Sequence, residues 1–311
     1  MGYPSARLLQ PLVLLGLGGM MLSGCFVYNH LGMEVLYREE PLPASRIVEE
    51  IAYWDGSDAD PDKHRLDLFL PVGEGWPVVV FIHGGGWDSG DKNLSFGGAD
   101  VYANIGRFLA RRGIGAAVIN YRLLPEATLF DQVEDAARAV AWVHAHIGEY
   151  GGRPEALFLM GHSSGAHLSS RIVFDATALE AFNLSPEAVC GVMAVSGAAY
   201  DLTASENVTD EGLAYMEKRF GHIDDWPRQV SSLPLFDGQA PPFLILYARG
   251  EQDELQRQSQ LLDAALRQAG VASTLVIVPG EGHARIVLTL SRDDKTAGPA
   301  ILSFLRSTVC E

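Results

Sequence analysis

The sequence predicts an α/β fold: a mostly parallel sheet of eight strands with helices on both faces and a small cap inserted late in the chain. Three observations lead there. From about residue 45 onward, strand-like runs alternate with amphipathic helical stretches. Most of those runs are short and continuously apolar, as strands buried on both faces are. One long segment, residues 201–241, interrupts the alternation.

The elements follow in order. "RIVEEIAYW" and "HRLDLFLP" mix apolar and polar residues, as strands with one wet face do. "PVVVFI", "IGAAVIN", "ALFLM", "VCGVMAVS", "PFLILYA" and "STLVIVP" have the pattern of central strands. Between them, "DQVEDAARAVAWVHAHIGEYGG" sets Val133, Ala136, Ala137, Val140, Val143 and Ile147 on one helical stripe, with Gly151 placed to stop it. "LQRQSQLLDAALRQAG" repeats the pattern before the last strand. Residues 201–241 contain a helix around 211–220 and end in proline-rich loops, and a loop of that length in a compact domain usually serves function. Ligands of parallel sheets bind outside the carboxyl ends of the strands, so functional residues should directly follow the apolar runs.

The chain has 311 residues, 48% apolar and 20% charged, ample for a large core. Its formal charge of −16 argues against nucleic-acid binding, which needs a basic surface, and it offers no polybasic membrane patch. Arg7 precedes an apolar stretch over 12–22, too short to span a bilayer but suited to a secretory signal, and "LSGC" follows, ending at Cys25. This resembles the bacterial lipobox. It implies a signal peptide over 1–24, lipidation of Cys25, a linker over 25–44 and a domain over 45–311. Phe26 stands where an aspartate would signal retention at the inner membrane, so an exported, outer-membrane lipoprotein is expected, facing the periplasm or the cell surface. Pairing of Cys190 with Cys310 is left open, and no cluster has metal-ligand spacing.

"HGGGWDSG", residues 83–90, ends the "PVVVFI" run with three glycines. Glycine is costly to order, so such a triplet implies that the backbone itself faces a ligand. "ALFLM" leads into Gly161-His162-Ser163-Ser164-Gly165 and then a helical stretch, the strand–turn–helix context of a nucleophile elbow. Attack by a serine creates an oxyanion that needs preorganised N–H donors, and the glycines of 84–86 together with the Ser164 amide can supply them. A serine also needs a base oriented by a carboxylate. His283, in "GEGH" after "STLVIVP", is the histidine downstream of the cap at a strand end. Glu251, Asp253 and Glu254 after "PFLILYA" compete for the acid. His83 is expected to brace the glycine loop, and Trp87 is a candidate for the acyl pocket.

Together with "SGDK", "INYRLLPEATLFDQVEDAARAVAWV" and "EYGG", these motifs resemble the α/β-hydrolase superfamily. Within it, they are closest to serine carboxylesterases of the isoprenylcysteine methylesterase-like, hormone-sensitive-lipase-like and kynurenine formamidase-like group. The resemblance implies Ser163 as nucleophile, Asp253 as acid, His283 as base, and the amides of Gly84, Gly85 and Ser164 as the oxyanion hole. It implies no cofactor and no metal, a small-molecule ester as partner, and membrane contact through the lipid alone. The modest cap favours short-chain or aryl esters. An amidase or formamidase using the same residues, or a non-catalytic surface-binding module, are the alternatives.

Overall fold

A computed structural model describes residues 37–310 except 97 and 294. Cys25 and the stretch expected to be a signal peptide lie outside the described residues. The eight expected runs form eight strands: β1 (Ile47–Ala52), β2 (Arg65–Phe69), β3 (Trp76–Ile82), β4 (Gly115–Ile119), β5 (Gly152–His162), β6 (Val189–Val195), β7 (Phe243–Ala248) and β8 (Ser273–Val278). They make one sheet in the order β1-β2-β4-β3-β5-β6-β7-β8, antiparallel where β2 meets β1 and β4 and parallel elsewhere. This is the α/β-hydrolase order. A two-stranded ribbon, Ser95–Phe96 with Ala99–Asp100, stands apart from it.

The helices are α1 (Val101–Ala110), α2 (Leu129–His146), α3 (Ser164–Phe174), α4 (Ala176–Glu180), α5 (Asp210–Phe220), α6 (Trp226–Val230), α7 (Asp253–Gln268), α8 (Arg285–Leu288) and α9 (Ala297–Ser307). A capping box starts α2: the Thr128 side chain accepts from the Asp131 amide, and the Asp131 carboxylate accepts from the Thr128 amide. Gly151, at φ 95°, closes the 3-10 turn that extends this helix. α5 is capped by Thr209 Oγ1, which accepts from the Gly212 amide.

Successive residues of the central strands feed two separate cores. Val78, Val80, Leu157 and Leu159 face one layer of helices, and Val79, Phe81, Phe158 and Met160 face the other. Register then positions the loops: Ile82 lies beside Gly161, and His162 beside Val195. The chain therefore leaves β3 and β5 side by side, bringing the glycine triplet and the elbow to one place.

Four features depart from the sequence reading or complete it. Asp67 on β2 is not on a wet face; it is buried and receives two 2.9 Å hydrogen bonds from Lys92, whose ammonium also meets Glu50. Removing one partner from a buried ion pair typically costs about 3–5 kcal/mol, so Lys92 of "SGDK" holds the loop after the glycine triplet against the sheet. β8 is an edge strand and only half-buried, with Ile277 exposed, because nothing pairs with its outer side among the described residues. The packed domain starts before residue 45. Glu40 is buried, its amide donates to Asn104 Oδ1 at 2.8 Å and its carboxylate pairs with Arg111 and Arg112, which docks the segment from Tyr37 on α1. Finally, Cys190 and Cys310 form a disulfide that ties the tail after α9 to β6.

Candidate active site

Ser163 sits between β5 and α3 at φ 55° and ψ −120°, a conformation that side chains rarely adopt. Its amide donates to Val195 O at 2.9 Å, which pins the turn to the neighbouring strand. The flanking glycines are required by space. A Cβ on Gly161 would collide with the Gly165 backbone, and one on Gly165 with the carbonyls of Ile82 and His83. This explains Gly-x-Ser-x-Gly in physical terms: the hairpin-tight bend lifts the hydroxyl above the sheet.

His283 Nε2 lies 2.9 Å from Ser163 Oγ, and its Nδ1 lies 3.2 Å from Glu251 Oε2. Because a carboxylate accepts, Nδ1 carries the proton and Nε2 is left to accept from the hydroxyl. Two backbone bonds bring these loops together: Arg249 N donates to Val278 O, and Gly250 N to Glu281 O, each at 2.9 Å. The His283 loop is held from a third side by the His162 ring, whose Nε2–H donates to His283 O at 2.9 Å.

The acid is where the expectation for Asp253 fails. Asp253 is the first residue of α7 and is exposed, lining a surface groove of about 350 Å³ with Glu206 and Arg257. Glu251 lies before the helix begins, and its carboxylate is fully buried against His283. Helix-start chemistry is the signal that separates the two: acidic residues in the first turn serve the helix terminus and face water, whereas the loop between β7 and α7 still follows the strand end.

The glycine triplet lies against the elbow. Gly84 approaches the elbow so closely that a Cβ there would lie 3.0 Å from Ser163 Cβ. Gly85 and Gly86 have φ of 140° and 64°, and a Cβ on Gly85 would collide with Ser89 O. Among the described residues, no backbone carbonyl accepts from the amides of Gly84, Gly85 and Ser164, and the Gly84 backbone also faces the Tyr102 hydroxyl. Since the carbonyl of one residue and the amide of the next share a plane, a bond to the carbonyl aims the amide. Tyr121 Oη donates to His83 O at 2.9 Å, and His83 Nδ1–H donates to Gly84 O at 2.8 Å, so Tyr121 and His83 orient the Gly84 and Gly85 amides. His83 thus braces the loop as expected.

Trp87 does not line a pocket, contrary to expectation. It is 2% exposed, its indole N–H donates to His167 Nδ1 at 3.2 Å, and its ring meets Phe220 of the cap edge-on. The large ring is spent joining the glycine loop, α3 and the cap. The segment 201–241, here called the cap, contains α5, α6 and two 3-10 turns. Arg171 on α3 anchors it by donating from Nη1 to the carbonyls of Gln229, Val230 and Ser231.

Burial holds His83 down to about 4, and holds His162 and His167 down to about 3, with the His283 and Arg171 charges adding to the effect on the latter two. All three rings are neutral at pH 7. Below about pH 6.5 the unfolded chain binds protons that the folded chain refuses, so their contribution to stability is complete above that pH and declines as pH falls towards 4 and 3. At pH 5 each ring removes about 2 kcal/mol, and urea unfolding should show a markedly lower midpoint at pH 5 than at pH 7. Equal midpoints would mean that these rings protonate within the fold.

Among the described residues, no group of three His, Cys, Asp or Glu is arranged to hold a metal ion, and no helix is long and apolar enough to cross a membrane.

Comparison with known proteins bears on the family and the fold. A probable isoprenylcysteine alpha-carbonyl methylesterase of Oryza sativa subsp. japonica is 29% identical over 74% of this chain and 57% of its own length. Esterase LipQ of Mycobacterium tuberculosis is 29% identical over 78% of this chain and 59% of its own. The chain thus spans just over half the length of these curated relatives. Among solved structures, esterase B from Lactobacillus rhamnosis superposes with a TM-score of 0.70 at 22% identity, covering 93% of this chain and 92% of that one, and shares the fold. The same esterase has been solved inhibited by a C4-C4 tributyrin phosphonate, with a TM-score of 0.70 at 23% identity, covering 93% of each chain. Residues 66–266, from β2 through nearly all of α7, match one family model, and the chain belongs to the BD-FAE family.

Proposed function

We propose that the protein is a serine carboxylesterase that cleaves short-chain or aryl esters. The observation that carries this reading is the 2.9 Å contact between His283 Nε2 and Ser163 Oγ, made beside amides of the glycine loop and of Ser164 that no backbone carbonyl takes up. In this reading Ser163 Oγ attacks the ester carbonyl while His283 Nε2 takes its proton, and Glu251 holds the resulting imidazolium. The amides of Gly84, Gly85 and Ser164 bind the oxyanion. His283 then returns the proton to the departing alcohol oxygen, leaving an acyl-Ser163. Water attacks this acyl group with His283 again as base, and the acid is released. No step calls for a metal or cofactor.

Short acyl groups are favoured because the cap sits directly on the glycine loop, with the Tyr215 hydroxyl against Gly86. The small-ester inhibitor held by the Lactobacillus esterase supports the same preference. A series of nitrophenyl esters should show kcat/KM peaking at acetate to butyrate and falling steeply beyond. Faster turnover of matched anilides or N-formyl compounds would instead make the protein an amidase or formamidase.

The proposal also places the enzyme at a bacterial envelope membrane, tethered by acyl chains on Cys25 and supported by the lipobox-like "LSGC". In cells fed radiolabelled palmitate the protein should carry label and pellet with membranes. Cys25→Ser should lose the label; a labelled variant would refute the tether.

A further inference from the structure

We propose that Arg219, on cap helix α5, is a positioning residue that keeps the oxyanion loop in its donor conformation, so that the cap acts as a strut for the chemistry rather than a cover over it. The inference rests on the esterase reading above.

Three successive carbonyls of the glycine loop are each held by a different donor. Gly84 O accepts from His83 Nδ1, and Gly85 O accepts from the Ser89 amide at 3.1 Å and Ser89 Oγ at 2.6 Å. Gly86 O accepts from Arg219 Nε at 3.0 Å. The first two donors belong to the loop itself, but the third comes from a helix 133 residues away in sequence. Arg219 is itself fixed from several sides: Nη2 donates to the Asp88 carboxylate, Nη1 donates to Tyr215 O at 3.3 Å, and the guanidinium lies 3.6 Å from the centre of the Tyr215 ring.

The Gly86–Trp87 peptide is the one that most needs a hold. Trp87 has φ of 66°, a left-handed value that an L side chain disfavours. Flipping that peptide would carry φ of Trp87 to the ordinary negative range, and glycine at 86 imposes no barrier of its own to the accompanying change in ψ. Relaxation of Trp87 and loss of the Arg219–Gly86 bond are therefore the same motion. A charge-assisted bond from a clamped guanidinium opposes it, and the amides upstream keep their aim only while the loop stays in register. At its other end the cap is anchored to α3, directly after the nucleophile, by Arg171 and by His167 Nε2–H donating to Val230 O at 2.8 Å. The cap therefore bridges the two elements that supply the oxyanion donors.

The test uses the full chain as wild type, Arg219→Met, Arg219→Lys and Asp88→Asn. It measures nitrophenyl butyrate kinetics, inhibition by a trifluoromethyl ketone that binds serine as an oxyanion, and the thermal midpoint. Arg219→Met should lower kcat by about 10- to 100-fold with KM changed less than about threefold, below the loss expected when a donor is removed outright. Ketone affinity should fall by the same factor as kcat/KM, because both report oxyanion binding. Arg219→Lys should recover part of the loss, since one ammonium cannot reproduce the fork that reaches both Gly86 O and Asp88. A kcat within threefold of wild type, or ketone affinity unchanged while the thermal midpoint falls, would overturn the proposal. If Arg219→Met does not fold, Asp88→Asn decides: it leaves the arginine in place but loosens it, and must lower kcat and ketone affinity together. Wild-type protein inert to esters and to a fluorophosphonate would overturn the esterase reading itself, a result distinct from active wild type with indifferent variants.

Discussion

Ser163→Ala should lower kcat on nitrophenyl butyrate by about four to six orders of magnitude while leaving the protein folded and still able to bind product. The size follows from what the variant lacks. Without Oγ no acyl-enzyme forms, and His283 has no hydroxyl to deprotonate. Residual turnover then depends on water entering a site that still presents the Gly84, Gly85 and Ser164 amides, and such sites retain roughly 10³- to 10⁴-fold catalysis over water. Alanine also fits at φ 55° no worse than serine, so the elbow should survive and thermal unfolding should change little. Fluorophosphonate labelling must disappear with the hydroxyl. A variant within tenfold of wild type would take Ser163 out of the mechanism.

Glu251→Gln and Asp253→Asn form the second decisive pair, because they set the structure against the sequence pattern. Glutamine is nearly isosteric with glutamate, so the variant tests charge and proton direction more than packing. The Glu251 carboxylate accepts from His283 Nδ1–H at 3.2 Å and fixes the tautomer in which Nε2 faces Ser163. A glutamine can turn its NH₂ towards the ring, favouring the wrong tautomer, and it cannot stabilise the imidazolium. Replacing a triad carboxylate by its amide typically lowers kcat by about 10⁴-fold, and Glu251→Gln should do likewise. Asp253→Asn, at the exposed start of α7, should keep kcat within about threefold, as surface substitutions away from packed features usually do. The reverse result would restore Asp253 as the acid.

Much of the site was legible because two of its parts are constraints of close approach, and close approach leaves glycines in the sequence. Gly161 and Gly165 face backbone that no Cβ could tolerate, and Gly84 to Gly86 line a loop pressed against the elbow. Such positions announce themselves without any knowledge of the fold. His283 was legible for a different reason, standing alone after the last strand in a glycine-flanked loop. The acid was not. Three carboxylates within four residues differ only in where α7 starts, and helix boundaries are set to within a residue by capping and packing that a sequence pattern does not resolve. Trp87 misled for a similar reason: an aromatic beside a glycine turn suits a pocket wall and a core contact equally, and the partners that decided the matter, His167 and Phe220, lie 80 and 133 residues further along the chain.

The sequence by itself determined the order of strands and helices, the two tight turns and the serine and histidine that meet in the site, since each is written in local periodicity or local steric need. Tertiary structure decided which carboxylate faces His283, that Asp67 and Lys92 share a buried pair, that Cys190 and Cys310 join, and that Arg219 reaches Gly86. The physical reason is range: backbone conformation and amphipathic pattern act over a few residues, whereas a side chain's partner depends on register and packing between segments that meet only when the whole sheet has formed.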